Sequence, residues 1–372
     1  MKSILIGNGF NVNLGGLDYT NKAIISRFIE NAKSKDYATT LFANKITNEE
    51  NALILPGLFN ELKSILNDKY NAYCSTDEDK ALISLLKDRY TLSSKIEEIG
   101  MEDYFIILRL FHLRYNDTEE MIKNTHDGFC MQFLDAIYNN GRIQNIGDEI
   151  EESDKVFLRE KINTYNEVYT VNYDKNIEVI ASCEVKHLHG DFETLLDQYD
   201  ETTPLGVYFK KQNSPNPVTN DNAHIYSNCI MGFSGDYKEH IIDIMDNGQL
   251  GSDSILLKYT CGMVSDEQLS ILKNSEDKGQ KMAYGMISAV IENPNLKMHT
   301  YPMKEFRNIS DEIHLLGISP SNDEHIWSTI LKNKNISKIV FFYNSERSKE
   351  MIEKMFNDSR IECLPKEEFW NK

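Results

Sequence analysis

Apolar positions along the chain fall into two rhythms. Short β-prone runs, all but the last closed by a glycine or a polar residue, lie at 3–6, 167–171, 185–188, 313–316, 338–343 and 361–364. Helical stripes follow several of them, at 21–32 (Ile24, Ile25, Phe28, Ile29), 174–181, 323–331 and 345–356. Strands that alternate with helices predict an α/β fold with a mostly parallel sheet, because a parallel crossover needs a connecting element. A further strand is expected at 229–233, followed by Ser234-Gly235-Asp236 and a helical pattern to about residue 292. The segment 192–223 is rich in Asp, Thr, Pro and Asn and reads as a long loop.

The stretch 36–161 has a different texture. Leu58, Phe59, Leu62, Ile65 and Leu66 keep helical spacing, 104–110 is almost continuously apolar, and Phe129, Phe133, Leu134, Ile137 and Tyr138 form another stripe. Strand-like alternation is scarce. The expected organisation is a Rossmann-like domain built from 1–35 and 162–372, interrupted by a helical insertion at 36–161.

Composition narrows the partners. Among 372 residues, 41% are hydrophobic and 26% charged, enough to build a core and too apolar for a disordered chain. Lys and Arg total 40 against 58 Asp and Glu, a formal net charge of -18, which repels phosphate backbones and argues against direct nucleic-acid binding. The six cysteines form no C-x-x-C pair, so no structural zinc, and no metal at all, is expected. The opening MKSILIGNGF reads as a buried strand rather than a signal peptide, and no apolar run reaches the ~18–20 residues of a membrane span. A cytoplasmic protein with reduced thiols, without membrane contact, is expected.

Candidate chemistry sits at the strand ends. Gly7-Asn8-Gly9-Phe10-Asn11 directly follows the first strand, where glycines let a backbone approach a pyrophosphate. The last glycine of a full G-x-G-x-x-G is replaced by Val12. Gly15-Gly16-Leu17-Asp18-Tyr19 is either a second ligand loop or a plain turn. Thr170-Val171-Asn172-Tyr173-Asp174 ends another strand; taken alone, Asp174 suits an Asx turn or a helix cap better than a binding role. In His187-Leu188-His189-Gly190 both histidines fall on one face of the strand, and His189 adjoins a glycine at its end. Gly317-Ile318-Ser319 and Tyr343-Asn344-Ser345 close two later strands. In a parallel sheet these ends share one edge, where open α/β folds bind ligands, and their convergence predicts a nucleotide site.

In order and spacing these blocks resemble the sirtuin-like superfamily: Gly7-Asn8-Gly9 for its first glycine turn, Gly16-Leu17-Asp18-Tyr19 for its flexible loop, and Thr170-Val171-Asn172-Tyr173-Asp174 for its Thr-Gln-Asn-Ile-Asp block. His189-Gly190 matches the catalytic His-Gly, Gly317-Ile318-Ser319 the later Gly-Thr-Ser turn, and Tyr343-Asn344 a late Ile-Asn pair. The four-cysteine zinc module of deacetylating sirtuins is missing, and Thr20 stands near the place of the first loop's Arg. The Gly-Asn-Gly-Phe start and the Asn-Tyr-Asp block are closer to the zinc-less sirtuin-like domains of bacterial anti-phage systems, which hydrolyse NAD. The AbiH-type abortive-infection family shares Gly-Asn-Gly-Phe and His-Gly but usually has Thr in place of Asp174.

The resemblance implies an NAD+ glycohydrolase that depletes NAD in abortive infection, with NAD as substrate. It would place Asn172, His189 and Asp174 in catalysis, respectively holding ribose or water, acting as general base and binding the carboxamide. Gly7, Asn8, Gly9, Phe10, Asn11 and Asp18 would surround the pyrophosphate and nicotinamide ribose, and Gly317, Ser319 and Asn344 the adenosine half. Self-association into a homo-oligomer, or a co-encoded partner such as a HerA-type ATPase, would gate the activity. A non-catalytic sensor of ADP-ribose or NAD, and an NAD-dependent deacylase, are the alternatives.

Overall fold

A computed structural model describes residues 1–42, 44–195, 219–232, 238, 242–243, 258–259, 262–292, 301–320 and 322–371. Its centre is a six-stranded, all-parallel sheet of β1 (Lys2–Ile6), β2 (Glu167–Thr170), β3 (Lys186–His187), β4 (Asp311–Leu316), β5 (Ile336–Tyr343) and β6 (Ile361–Pro365). The spatial order is β3-β2-β1-β4-β5-β6. This is the doubly wound, Rossmann-like order, and the winding reverses between β1 and β4.

Period-two alternation sends each strand's side chains to two separate cores. On one face Ile4, Ile6, Val340 and Phe342 pack with Leu158, Ile162, Ile177 and Ile180. On the other, Leu5, Ile313, Leu315, Ile339 and Phe341 pack with Ile326, Trp327 and Ile330. Both faces are covered, which is why the strands read as nearly continuous apolar runs rather than as alternating ones.

The chain between β1 and β2 is helical throughout. It comprises α1 (Gly9–Gly15), α2 (Asn21–Ser34), α3 (Tyr37–Thr40), α4 (Asn48–Leu66), α5 (Asp77–Arg89), α6 (Met101–Tyr115), α7 (Glu119–Tyr138), α8 (Ile146–Glu149) and α9 (Glu152–Ile162), with short 3-10 turns between some of them. Phe28, Phe105, Phe129 and Phe133 form the aromatic centre of this layer, with ring centroids 4.6 to 5.6 Å apart. Thus α2, which precedes the expected insertion, joins the helical layer, whereas α9, inside it, supplies Leu158 and Ile162 beneath the sheet.

Between β2 and β3 lies α10 (Asn176–Ala181), and between β3 and β4 come α11 (Asp266–Asn274), α12 (Lys278–Glu292) and α13 (Met303–Phe306). Three more helices, α14 (Glu324–Lys332), α15 (Glu346–Met355) and α16 (Glu367–Trp370), flank β5 and β6.

The strand expected at 229–233 is not formed over its described residues, 229–232. Other bonds hold this segment: Ile230 N–H donates to the His189 carbonyl (2.8 Å), and the Tyr173 and Tyr301 hydroxyls donate to the Ile230 and Asn228 carbonyls (2.8 Å each). Gly232 then turns away at φ +92. Most of the expected 192–223 loop, and Ser234-Gly235-Asp236, lie outside the described residues. Among the described residues no helix is long and apolar enough to cross a membrane.

Candidate active site at the switch point

A cleft of about 650 Å³ lies along the carboxyl ends of the strands, at the reversal of winding. Its lining includes Asn8, Gly9, Asn172, Asp174, His189, Gly317, Ser319 and Asn344. Residues from the ends of β1, β2, β3, β4 and β5, up to 336 positions apart in sequence (8 to 344), therefore meet on one surface. Gly7, Phe10, Asn11 and Asp18 do not line it. Phe10 is fully buried and packs against Trp370, with centroids 5.5 Å apart. Asp18 is exposed on the turn Leu17–Tyr19.

The glycines at the switch point serve contact between loops. A Cβ on Gly9 would stand 2.6 Å from the Gly317 Cα, and one on Gly7 would stand 2.6 Å from the Gly317 carbonyl oxygen. Gly317 itself has φ +70 and would drive a Cβ to 2.7 Å from the Phe10 nitrogen. Gly7 N–H donates to the Leu316 carbonyl (2.8 Å) and Gly9 N–H to the Gly317 carbonyl (3.0 Å). The two loops are thus zipped together, and only Gly9 and Gly317 reach the cleft wall.

Asn172 is held in place through its backbone. Its N–H donates to Thr170 Oγ1 (3.0 Å), and His187 Nδ1 lies 2.8 Å from its carbonyl oxygen. His187 Nε2 meets Glu178 Oε1 at 2.7 Å, so this ring braces the strand end. The Asn172 side-chain amide, by contrast, is buried with no partner for Nδ2. A buried amide donor left unbonded costs about 1–3 kcal/mol, and a ligand acceptor in the cleft would recover that cost.

Asp174 is fully buried under the cleft wall. Its carboxylate accepts from Asn11 Nδ2 (2.6 Å) and from the backbone N–H (3.2 Å) and side-chain amide (2.7 Å) of Asn176. Burial raises its pKa, opposed by these hydrogen bonds and by the nearby His187. Oδ1 carries the two bonds from Asn176 and Oδ2 only the one from Asn11, which leaves Oδ2 able to accept a further donor.

His189 is 2% exposed, and its Nε2 lies 3.0 Å from Nε2 of His325 at the start of α14, with the ring planes 27° apart. Burial, and then the Lys238 charge, push His189 well below the ordinary imidazole range and His325 down to about 3. Both rings are therefore neutral at neutral pH. Lys238, itself almost buried, pairs with Glu102 Oε1 at 2.7 Å. Asp323 accepts from the Ser319 N–H (2.9 Å); burial, then the Glu102 charge, push its carboxyl up to about 6.

Sequence reasoning passed over His325, Lys238 and Glu102. His325 sits on the apolar face of α14 next to Ile326 and Trp327, a setting that reads as core. Glu102 comes from the helical layer, whose placement over the strand ends no spacing announces. Arg347, Lys366 and Trp370 also line the far end of the cleft. Among the described residues no group of three or more His, Cys, Asp or Glu is placed to hold a metal ion.

The fold and site together define a Rossmann-like α/β protein with a cleft of apolar walls and converging polar groups at its topological switch point. Comparison with family models, with curated proteins and with solved structures finds no match for this chain.

Proposed function

We propose that the chain is an NAD+ glycohydrolase that releases nicotinamide and ADP-ribose, and that it acts by NAD depletion in anti-phage defence. The observation that carries the reading is the unpartnered, buried Asn172 amide on the same cleft wall as the neutral His189. The cleft's size falls within the usual range for a small-molecule site. Three inter-strand steps of about 4.8 Å separate the ends of β2 and β5, roughly 14 Å, a span suited to an extended dinucleotide lying across the switch point.

In this reading the nicotinamide ribose lies at Asn172 and His189 and the adenosine half at Gly317, Ser319 and Asn344. The bond from ribose C1′ to the cationic nicotinamide nitrogen breaks, its electron pair leaving with nicotinamide, while water forms the new C–O bond. Asn172 holds the ribose or the water, and neutral His189 accepts the proton that water loses. Asp174 supports Asn11 and the wall behind it, and its Oδ2 keeps a lone pair for the carboxamide. The defence role, the homo-oligomer and the co-encoded ATPase partner rest on the resemblance of the Gly-Asn-Gly-Phe, Asn-Tyr-Asp and His-Gly blocks. Nicotinamide release from NAD by the purified chain, alone and with a co-encoded partner, tests the proposal.

A further inference from the structure

His189 does not meet the cleft alone, and its companion has no part in the chemistry described so far. Nε2 of His189 and Nε2 of His325 are 3.0 Å apart, and His325 is fully buried. Two bare ring nitrogens would repel at that distance, and so would two N–H groups, so one proton lies between the rings. His189 therefore turns Nε2 toward His325 and has Nδ1 left for a ligand. The remaining nitrogen of His325, Nδ1, is buried with no partner.

We propose that His325 is the positioning residue of His189, and that the two imidazoles take up the reaction's proton as a pair. The inference rests on the NAD-cleaving reading of the site. For His189 to present a bare Nδ1 to the cleft, its own proton sits on Nε2 and is donated to Nε2 of His325, which keeps its proton on Nδ1. When water attacks the ribose, its proton passes to His189 Nδ1. The Nε2–H···Nε2 bond then becomes charge-assisted, a stronger class of hydrogen bond, and the positive charge is shared by two rings. The arrangement follows the general logic of a base oriented by a third group, with a neutral ring in place of a carboxylate. It also offsets a difficulty of the site. Burial, Lys238 and any charge on His325 all oppose a charge on His189, whereas a neutral His325 that accepts at 3.0 Å favours it without adding a net charge of its own.

The test combines turnover with a spectroscopic signature. His325→Phe keeps a ring and removes the acceptor; kcat for nicotinamide release should fall about 100-fold, with KM within about twofold. His325→Gln, whose side-chain oxygen can accept from His189 Nε2, should restore most of kcat. In the 15N-histidine-labelled full chain, NMR should show a low-field N–H proton coupled to His189 Nε2, lost in His325→Phe. Undiminished turnover in folded His325→Phe, or no such proton in the wild type, overturns the pair. If the wild type shows the shared proton but releases no nicotinamide, the pair stands and the NAD-cleaving reading fails. If His325→Phe does not fold, the wild-type proton and the His325→Gln rate decide.

Discussion

At the scale of single residues, the two histidines of the His-Leu-His-Gly run do different work, and the difference is measurable. His187 lies between the Asn172 carbonyl and Glu178, whereas His189 lines the cleft. His189→Ala should lose about 100- to 10,000-fold in turnover with little change in NAD affinity, because a general base acts on a proton in transit. His187→Ala should lower the melting temperature, costing about 1–3 kcal/mol for the polar partners it strands. Parallel assays of nicotinamide release, NAD affinity and thermal melting check both. Asp323 gives a pH signature. Its pKa of about 6 means that raising pH through that value adds a negative charge to the cleft. Affinity for an anionic dinucleotide should therefore weaken as pH rises from about 5 to 7, and Asp323→Asn should flatten that dependence in calorimetric titrations.

At the scale of elements, one buried carboxylate ties three segments together. Asp135 on α7 accepts from Lys35 (2.6 Å), Asn31 at the end of α2 (3.3 Å), the Tyr37 hydroxyl and His224 Nε2 (2.9 Å). Burial alone would raise its pKa, but the hydrogen bonds from His224, Lys35 and Tyr37 outweigh that and hold it at about 2. A depressed folded pKa contributes stability that is fully present above the unfolded value near ~3.9 and lost as pH falls toward 2. Asp135→Ala should cost about 3 kcal/mol at neutral pH, measured by denaturant unfolding, and should remove this part of the acid sensitivity. The zipped loops of β1 and β4 give a second test. Gly317→Ala meets both a positive φ and the Phe10 nitrogen, and should destabilise by more than about 2 kcal/mol. The same change should also distort the cleft, so NAD affinity falls with stability.

How far these features are legible without coordinates differs by kind. β1, β4 and β5 announce themselves because central parallel strands are apolar on both faces, and α2 and α14 through their stripes. The strand expected at 185–188 shortens to the two-residue β3 paired with β2, and the one expected at 229–233 is not formed over 229–232, where Ile230 bonds to the His189 carbonyl and a tyrosine hydroxyl instead. The convergence of Asn172, His189, Gly317 and Asn344 follows from a parallel sheet alone, because all sit just beyond strand carboxyl ends. The bond of Asp174 with the Asn176 N–H is the Asx turn that its local pattern suggests; its bond with Asn11 does not follow, nor does the contact of His325 with His189. Both depend on which helix lies over which strand end, a property of packing rather than of local pattern.

At the scale of the whole molecule, the sheet brings a bare amide and a neutral imidazole to one wall and leaves polar groups at the other end of the same cleft. The strand order places that cleft where doubly wound folds bind nucleotides, and the helical layer covers it with Glu102 and Met101. The central claim is that this cleft cleaves NAD at the nicotinamide ribose. The direct measurement is chromatography of NAD incubated with the purified full chain, beside folded Asn172→Ala. The wild type should release nicotinamide and ADP-ribose in equal amounts, and the variant at least ~100-fold less. NAD left intact by the folded wild type with its co-encoded partner present, or equal release by Asn172→Ala, would contradict the claim.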